Sequence, residues 1–117
     1  MPSHKIYEDN YFIAILDIFP RVKGHTLLIP KQHYRYVYDV PNFGKYWETA
    51  KTVGLKIQQA LNSNFLTFLT IGNEVPHAHI HILPQATENP EGFSLGEGIS
   101  MSQSDLEHVV KDIVGQK

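Results

Sequence analysis

Seven histidines stand in a chain of 117 residues that has no cysteine. Three of them, His77, His79 and His81, alternate strictly with Ala78, Ile80 and Ile82. Imidazole is the side chain that can ligate a metal, attack an electrophile or pass a proton near neutral pH. On an extended strand, side chains at i, i+2 and i+4 leave from one face, roughly 6.5 to 7 Å apart for each pair of residues. His77, His79 and His81 are therefore expected to form a row, with Ala78, Ile80 and Ile82 anchoring the opposite face.

Three readings of that row remain. Histidines that only satisfy core hydrogen bonds are ordinary one at a time, but three in alternation repel when protonated and need separate partners when neutral. A His-x-His pair can bind Zn²⁺, yet three consecutive alternates rarely converge on one tetrahedral ion, and no Glu or Cys stands in register nearby. Nucleophilic catalysis employs all three, one imidazole attacking while its neighbours set its tautomer and handle the leaving group.

The rest of the chain must hold this row in place. Tyr11 to Ile18 is an apolar run rich in β-formers and reads as a strand. Arg21 to Gly24 makes a turn, and Gly24 to Pro30 reads as the antiparallel return, closing a hairpin. Tyr34 to Val40, which runs into Pro41, reads as a loop or short helix. From Phe43 the period becomes helical, with Asn42 as the expected N-cap. Phe43, Tyr46, Trp47, Ala50, Val53, Ile57, Ala60 and Leu61 share one face, and Lys45, Glu48, Lys51, Lys56 and Gln59 lie on the other. Asn62 to Asn64 closes the helix, and Phe65 to Ile71 is a further strand. Gly72 to Pro76 turns into a strand from His77 to Leu83, which Pro84 stops. Gln85 to Ser100 reads as a long loop. Gln103 to Val114 reads as a second helix, with Leu106, Val109, Val110 and Ile113 inward and Ser102 or Ser104 as its cap. The order ββαββα implies an α+β domain built on an antiparallel sheet.

Composition narrows the function classes. At 13.3 kDa, with 42% hydrophobic residues, one compact domain spanning 1–117 is expected. A formal charge of -2 and a pI near 6.4 lack the basic excess that binds long nucleic acid. Without cysteine, disulfides, thiolate chemistry and Cys-containing zinc sites are excluded. No apolar run approaches a membrane span and the N-terminus has no apolar signal core, so the expected compartment is the cytoplasm, with neither membrane nor nucleic acid as partner.

The segment His77-Ala78-His79-Ile80-His81-Ile82-Leu83 resembles the signature of the histidine triad (HIT) hydrolases and transferases, His-φ-His-φ-His-φ-φ with φ apolar. Upstream, Leu16-Asp17-Ile18 followed by Gly24-His25-Thr26-Leu27-Leu28-Ile29-Pro30-Lys31-Gln32-His33 is similar to the family's strand pair, and the likeness covers roughly residues 5 to 84. The resemblance implies a five-stranded antiparallel sheet with two helices, paired in a homodimer as a continuous ten-stranded sheet. It also implies action at the α-phosphate of a purine nucleotide conjugate. His79 would attack phosphorus, His81 would face the phosphate oxygens and help protonate the leaving group, and His77 and His25 would hold His79 in its reactive tautomer. Asp17 would accept the ribose hydroxyls, and Leu16, Ile18 and Leu27 would pack on the base. His33 and Lys31 read as a solvated turn, and His4 and His108 as surface residues.

Many relatives carry a longer loop before the triad, with Gly-Gln-Ser or Gly-Gln-Thr touching the leaving group. This chain has only Gly72-Asn73-Glu74-Val75-Pro76, in which Asn73 could supply a polar contact while Glu74 would repel a phosphate. The zinc-binding cysteines of some members are absent, so neither a metal nor another cofactor is implied. Adenosine phosphoramidates are the first substrate choice and dinucleoside polyphosphates the second. The alternative from another class is a nucleotide-binding adaptor without significant turnover.

Overall fold

The computed structural model describes residues 4–72, 76–84 and 100–115. Five strands, β1 (Lys5–Glu8), β2 (Phe12–Leu16), β3 (Thr26–Pro30), β4 (Leu66–Leu69) and β5 (Ile80–Pro84), form one antiparallel sheet in the order β1-β2-β3-β5-β4. The helices are α1 (Phe43–Leu61) and α2 (Gln103–Val114). A 3-10 turn, Val37–Asp39, stands in the segment read as a loop or short helix. No helix among the described residues is long and apolar enough to cross a membrane.

Strand alternation divides the sheet into two faces. Phe12, Ala14 and Leu16 of β2, Leu28 of β3, and Ile80 and Ile82 of β5 are buried with Tyr46, Ala50, Val53 and Ile57 of α1 and Leu106, Val109 and Ile113 of α2. Tyr46 ties the helix to the sheet by stacking on Phe12, with ring centres 4.9 Å apart, and by donating from its hydroxyl to the Leu28 carbonyl at 2.7 Å. Ile13 and Ile15 of β2 and Leu27 and Ile29 of β3 alternate with these core residues and are only half-buried. One face of the sheet therefore packs on helices, and the other carries an apolar floor open to a ligand.

Several local expectations shift. Residue patterns gave no sign of β1, because Lys5–Glu8 turns a single side chain, Ile6, fully inward and so shows no alternating run. Asn42 occupies the N-cap position of α1, but its side chain makes no capping hydrogen bond. Ser102 does cap α2, in a reciprocal box with Asp105. His4 is buried rather than at the surface, and its backbone carbonyl accepts from the Leu16 amide as the chain enters the sheet. His108 is exposed as expected. The largest change is at the triad: β5 begins at Ile80, so His77 and His79 precede the strand instead of forming one straight row with His81. Asn73 and Glu74, and residues 85–99 of the expected long loop, lie outside the described residues.

Candidate active site

The connection from β2 to β3 carries the first half of the site. Asp17 follows β2 and His25 precedes β3, and the Asp17 amide donates to the His25 carbonyl at 2.9 Å, holding the two residues side by side. Gly24 permits the return because its φ is +87°, a conformation that costs a residue with a Cβ. One carboxylate oxygen of Asp17 accepts from the Phe19 amide at 2.8 Å, as in an Asx turn. Its other oxygen lies 3.7 Å from His25 Nε2. Asp17 therefore both shapes the turn and presents an oxygen toward the histidines.

β5 brings in the second half, and backbone groups decide the tautomers. The Arg21 amide donates to His25 Nδ1 at 3.0 Å, so that nitrogen carries the lone pair and the proton of neutral His25 sits on Nε2. His25 Nε2 and His81 Nδ1 are 2.8 Å apart, hence His25 donates and His81 accepts. The proton of neutral His81 is thereby on Nε2, a buried atom with no hydrogen-bond partner in the protein among the described residues. Both rings are suited to the neutral state. Burial, opposed by Asp17 and reinforced by Arg21 and His79, lowers the pKa of His25. Burial, then His25, His79 and Arg21, lowers that of His81 to about 4.

His79 sits edge-on to His81, with ring centres 4.7 Å apart. Its Nδ1 is 2.9 Å from the His77 carbonyl, which can only accept, so the proton is on Nδ1 and the lone pair on Nε2. It is the backbone of His77, not its ring, that sets this tautomer. The His77 ring is engaged elsewhere: Nε2 donates to the Pro30 carbonyl at 3.1 Å, and Nδ1 lies 2.8 Å from Nδ1 of His33. The Ala78 amide donates to the Tyr34 carbonyl at 2.6 Å, so the segment before β5 is pinned at both residues.

Two imidazoles edge to face, one with its lone pair on Nε2 and its neighbour with an N–H that has no partner among the described residues, stand beside a carboxylate and an apolar floor. Residues 1–88 match the HIT domain. An uncharacterized HIT-like protein of Methanocaldococcus jannaschii is 36% identical over 124 residues, covering 98% of this chain and 92% of that protein. The chain belongs to the HIT family. The adenosine 5'-monophosphoramidase of Saccharomyces cerevisiae is 31% identical over 75% of this chain and 58% of its own length. A HIT-like protein of Bartonella henselae, solved by crystallography, superposes with a TM-score of 0.82 at 29% identity, over 98% of this chain and 87% of that one.

Within this HIT domain the structure brings Asp17, His25, His79 and His81 together and sets His77 at the edge with His33. His25 touches His81, with ring centres 5.1 Å apart, so its hydrogen bond supports that ring and not His79 as expected. Leu16 does not face the site: it is 3% exposed and part of the helix-side core. Alternation gives the open face to Ile15, two residues before Asp17. Register then aligns Ile15, Leu27, His81 and Leu69 in one row across four strands. Leu27 thus lies on the expected face, and Ile18 is exposed in the turn after β2. His33, read as a solvated turn, is exposed but hydrogen-bonded to His77, a contact that only the fold could reveal.

Asp17, His25 and His81 offer ligand atoms within 4.8 Å of one another. Two nitrogens on one tetrahedral Zn²⁺ at its usual bond lengths would stand about 3.3 Å apart. The 2.8 Å between His25 and His81 instead suits a hydrogen bond, so the group is arranged for proton placement.

Proposed function

We propose that this HIT protein hydrolyses purine nucleotide conjugates at the α-phosphate, with adenosine phosphoramidates as the favoured class, through a covalent nucleotidyl-histidine. The observation that carries the reading is the complementary protonation of the paired rings: His79 has its proton committed to the His77 carbonyl, and His81 has an unpartnered Nε2–H. In the first step the His79 Nε2 lone pair forms a bond to phosphorus while the bond from phosphorus to the leaving nitrogen breaks. The nitrogen, carrying a proton taken from solvent, departs as a neutral amine while the Nε2–H of His81 stays on its ring and hydrogen-bonds to it. In the second step water attacks the nucleotidyl-histidine and gives its proton to solvent, AMP leaves and His79 recovers its lone pair. The neutral state of His81 keeps Nδ1 available to the His25 donor, so the same tautomers serve each turnover.

The Asp17 carboxylate, half-buried beside His25, is assigned to the ribose diol, and Ile15, Leu27 and Ile18 to the apolar surface for the base. Similarity to the yeast adenosine 5'-monophosphoramidase supports an adenosine phosphoramidate over other conjugates. Replacing His79 with Ala is expected to abolish AMP release from a phosphoramidate while AMP still binds, measured by product chromatography and calorimetry. Turnover retained by His79→Ala would remove the assignment of the nucleophile, and AMP binding by a wild type that releases no product would favour an adaptor.

The protein is further proposed to be a homodimer. Among the described residues β4 pairs with β5 along one edge only and stands at the end of the sheet, and Phe68 on it, Phe65 just before it, and Leu55 and Phe43 on α1 are exposed apolar side chains. An unpaired edge flanked by apolar surface favours a second copy of the same chain.

A further inference from the structure

A cavity of about 230 Å³ opens on the triad away from the nucleoside residues. Arg35, Tyr36, Tyr38 and Gly72 line it, and it borders His77 and His79 but not Asp17, His25 or Leu27. Tyr36 and Tyr38 stack with ring centres 5.1 Å apart and planes 8° from parallel. Arg35 Nε donates to the Tyr36 hydroxyl at 2.9 Å, and its guanidinium carbon is 5.2 Å from the Tyr36 ring centre. Gly72 lets the backbone close on this platform, since a Cβ there would stand 3.1 Å from the Tyr36 ring. Tyr36 is thus wedged in place, while Tyr38 is 73% exposed and offers its ring to solvent.

With the nucleoside assigned to the Asp17 end, the group expelled from phosphorus needs a place on the other side of His79. We propose that this cavity is the leaving-group subsite and that it selects a moiety with one planar ring and a negative charge, the ring on Tyr38 and the charge on Arg35. Stacked phenols present flat π faces to a ring, and a guanidinium with Nε already committed keeps its outer N–H groups for a carboxylate. Pockets that hold drug-sized ligands run from about 300 Å³ upward, so about 230 Å³ suits a single ring-bearing group and not a second nucleoside with its bridging phosphates. The inference rests on the reading of His79 as the nucleophile.

The test compares kcat/KM for AMP phosphoramidates of four amines, aliphatic or ring-bearing, each with and without a carboxylate, together with a dinucleoside triphosphate. The conjugate carrying both ring and carboxylate is expected to lead the plain aliphatic one by at least about tenfold, the scale of one stacking contact or one charge-assisted pair. Tyr38→Ala should collapse the ratio between ring-bearing and aliphatic conjugates toward one, and Arg35→Gln the ratio between acidic and neutral conjugates. Equal kcat/KM across the four, or ratios untouched by either substitution, overturns the subsite and leaves the hydrolase reading standing. A preference for the dinucleoside triphosphate also overturns it. Absence of turnover with every conjugate overturns both readings.

Discussion

Acidification should weaken the fold through His81 in a calculable way. The pKa of His81 is lowered from 6.5 to about 4 because burial and the neighbouring His25 and His79 penalise its charged form. The unfolded chain therefore binds a proton at this position that the native protein refuses, and stability must fall as pH drops from about 6.5 to about 4, with no further loss from this group below that. At about 1.4 kcal/mol per pH unit, the upper limit is about 3 kcal/mol. That is a large fraction of the stability of a small domain, on the order of 5 to 15 kcal/mol. The lowered pKa of His25 adds to the loss in the same direction. The comparison protein is His81→Gln, which retains an acceptor for the His25 N–H but cannot titrate. Urea unfolding at fixed protein concentration, followed by the fluorescence of Trp47, the single tryptophan, would be measured at half-unit steps from pH 7.5 to 4. Carboxylates titrate alike in both proteins, so the difference between the two curves isolates His81. The wild type should lose up to about 3 kcal/mol more than the variant across this window. Parallel curves would show that His81 is not held neutral by its surroundings, and the relay from Arg21 through His25 to His81 would lose its basis.

Two further substitutions probe the scaffold. Gly24→Ala places a Cβ at φ +87°, against Leu61 Cδ1 and 3.2 Å from Pro84 Cγ. It should cost about 2 to 3 kcal/mol from left-handed strain and overpacking together, read as a lower urea midpoint at unchanged slope; a midpoint equal to wild type would refute the packing argument. Leu55→Glu puts like charges on a surface that a twofold interface would bring face to face. Sedimentation should find a wild-type dimer and a monomeric variant, and a monomeric wild type at micromolar concentration would discard the dimer.

Much of the scaffold was legible because its signals are local. The apolar runs at 11–18 and 24–30, the helical period from Phe43 to Leu61 and the Ser102 cap each depend on neighbours within a few residues. The short strand β1 was not legible, since one buried side chain, Ile6, makes no period. Leu16 was assigned to the base through the resemblance to the family. Alternation, applied strictly from Asp17, would have selected Ile15 and left Leu16 in the core. His33 ends the upstream segment that resembles the family, but its partner His77 is 44 residues away and local pattern alone reads it as a solvated turn.

The three histidines illustrate the division. Residue types and spacing determined that three imidazoles would be presented together on one extended segment, and the resemblance to the HIT signature implied Asp17 and His25 beside them. They could not decide what each ring would do. A tautomer is chosen by the group opposite each nitrogen, and those groups are the Arg21 amide, the Pro30 carbonyl and rings as much as 56 residues apart, which meet only when β3 and β5 come into register. The alternation gave three histidines in a row on one face. The tertiary structure made one a lone-pair carrier, one an unpartnered donor and one an anchor at the cavity edge, because the chain bends before Ile80 and gives each imidazole a different partner.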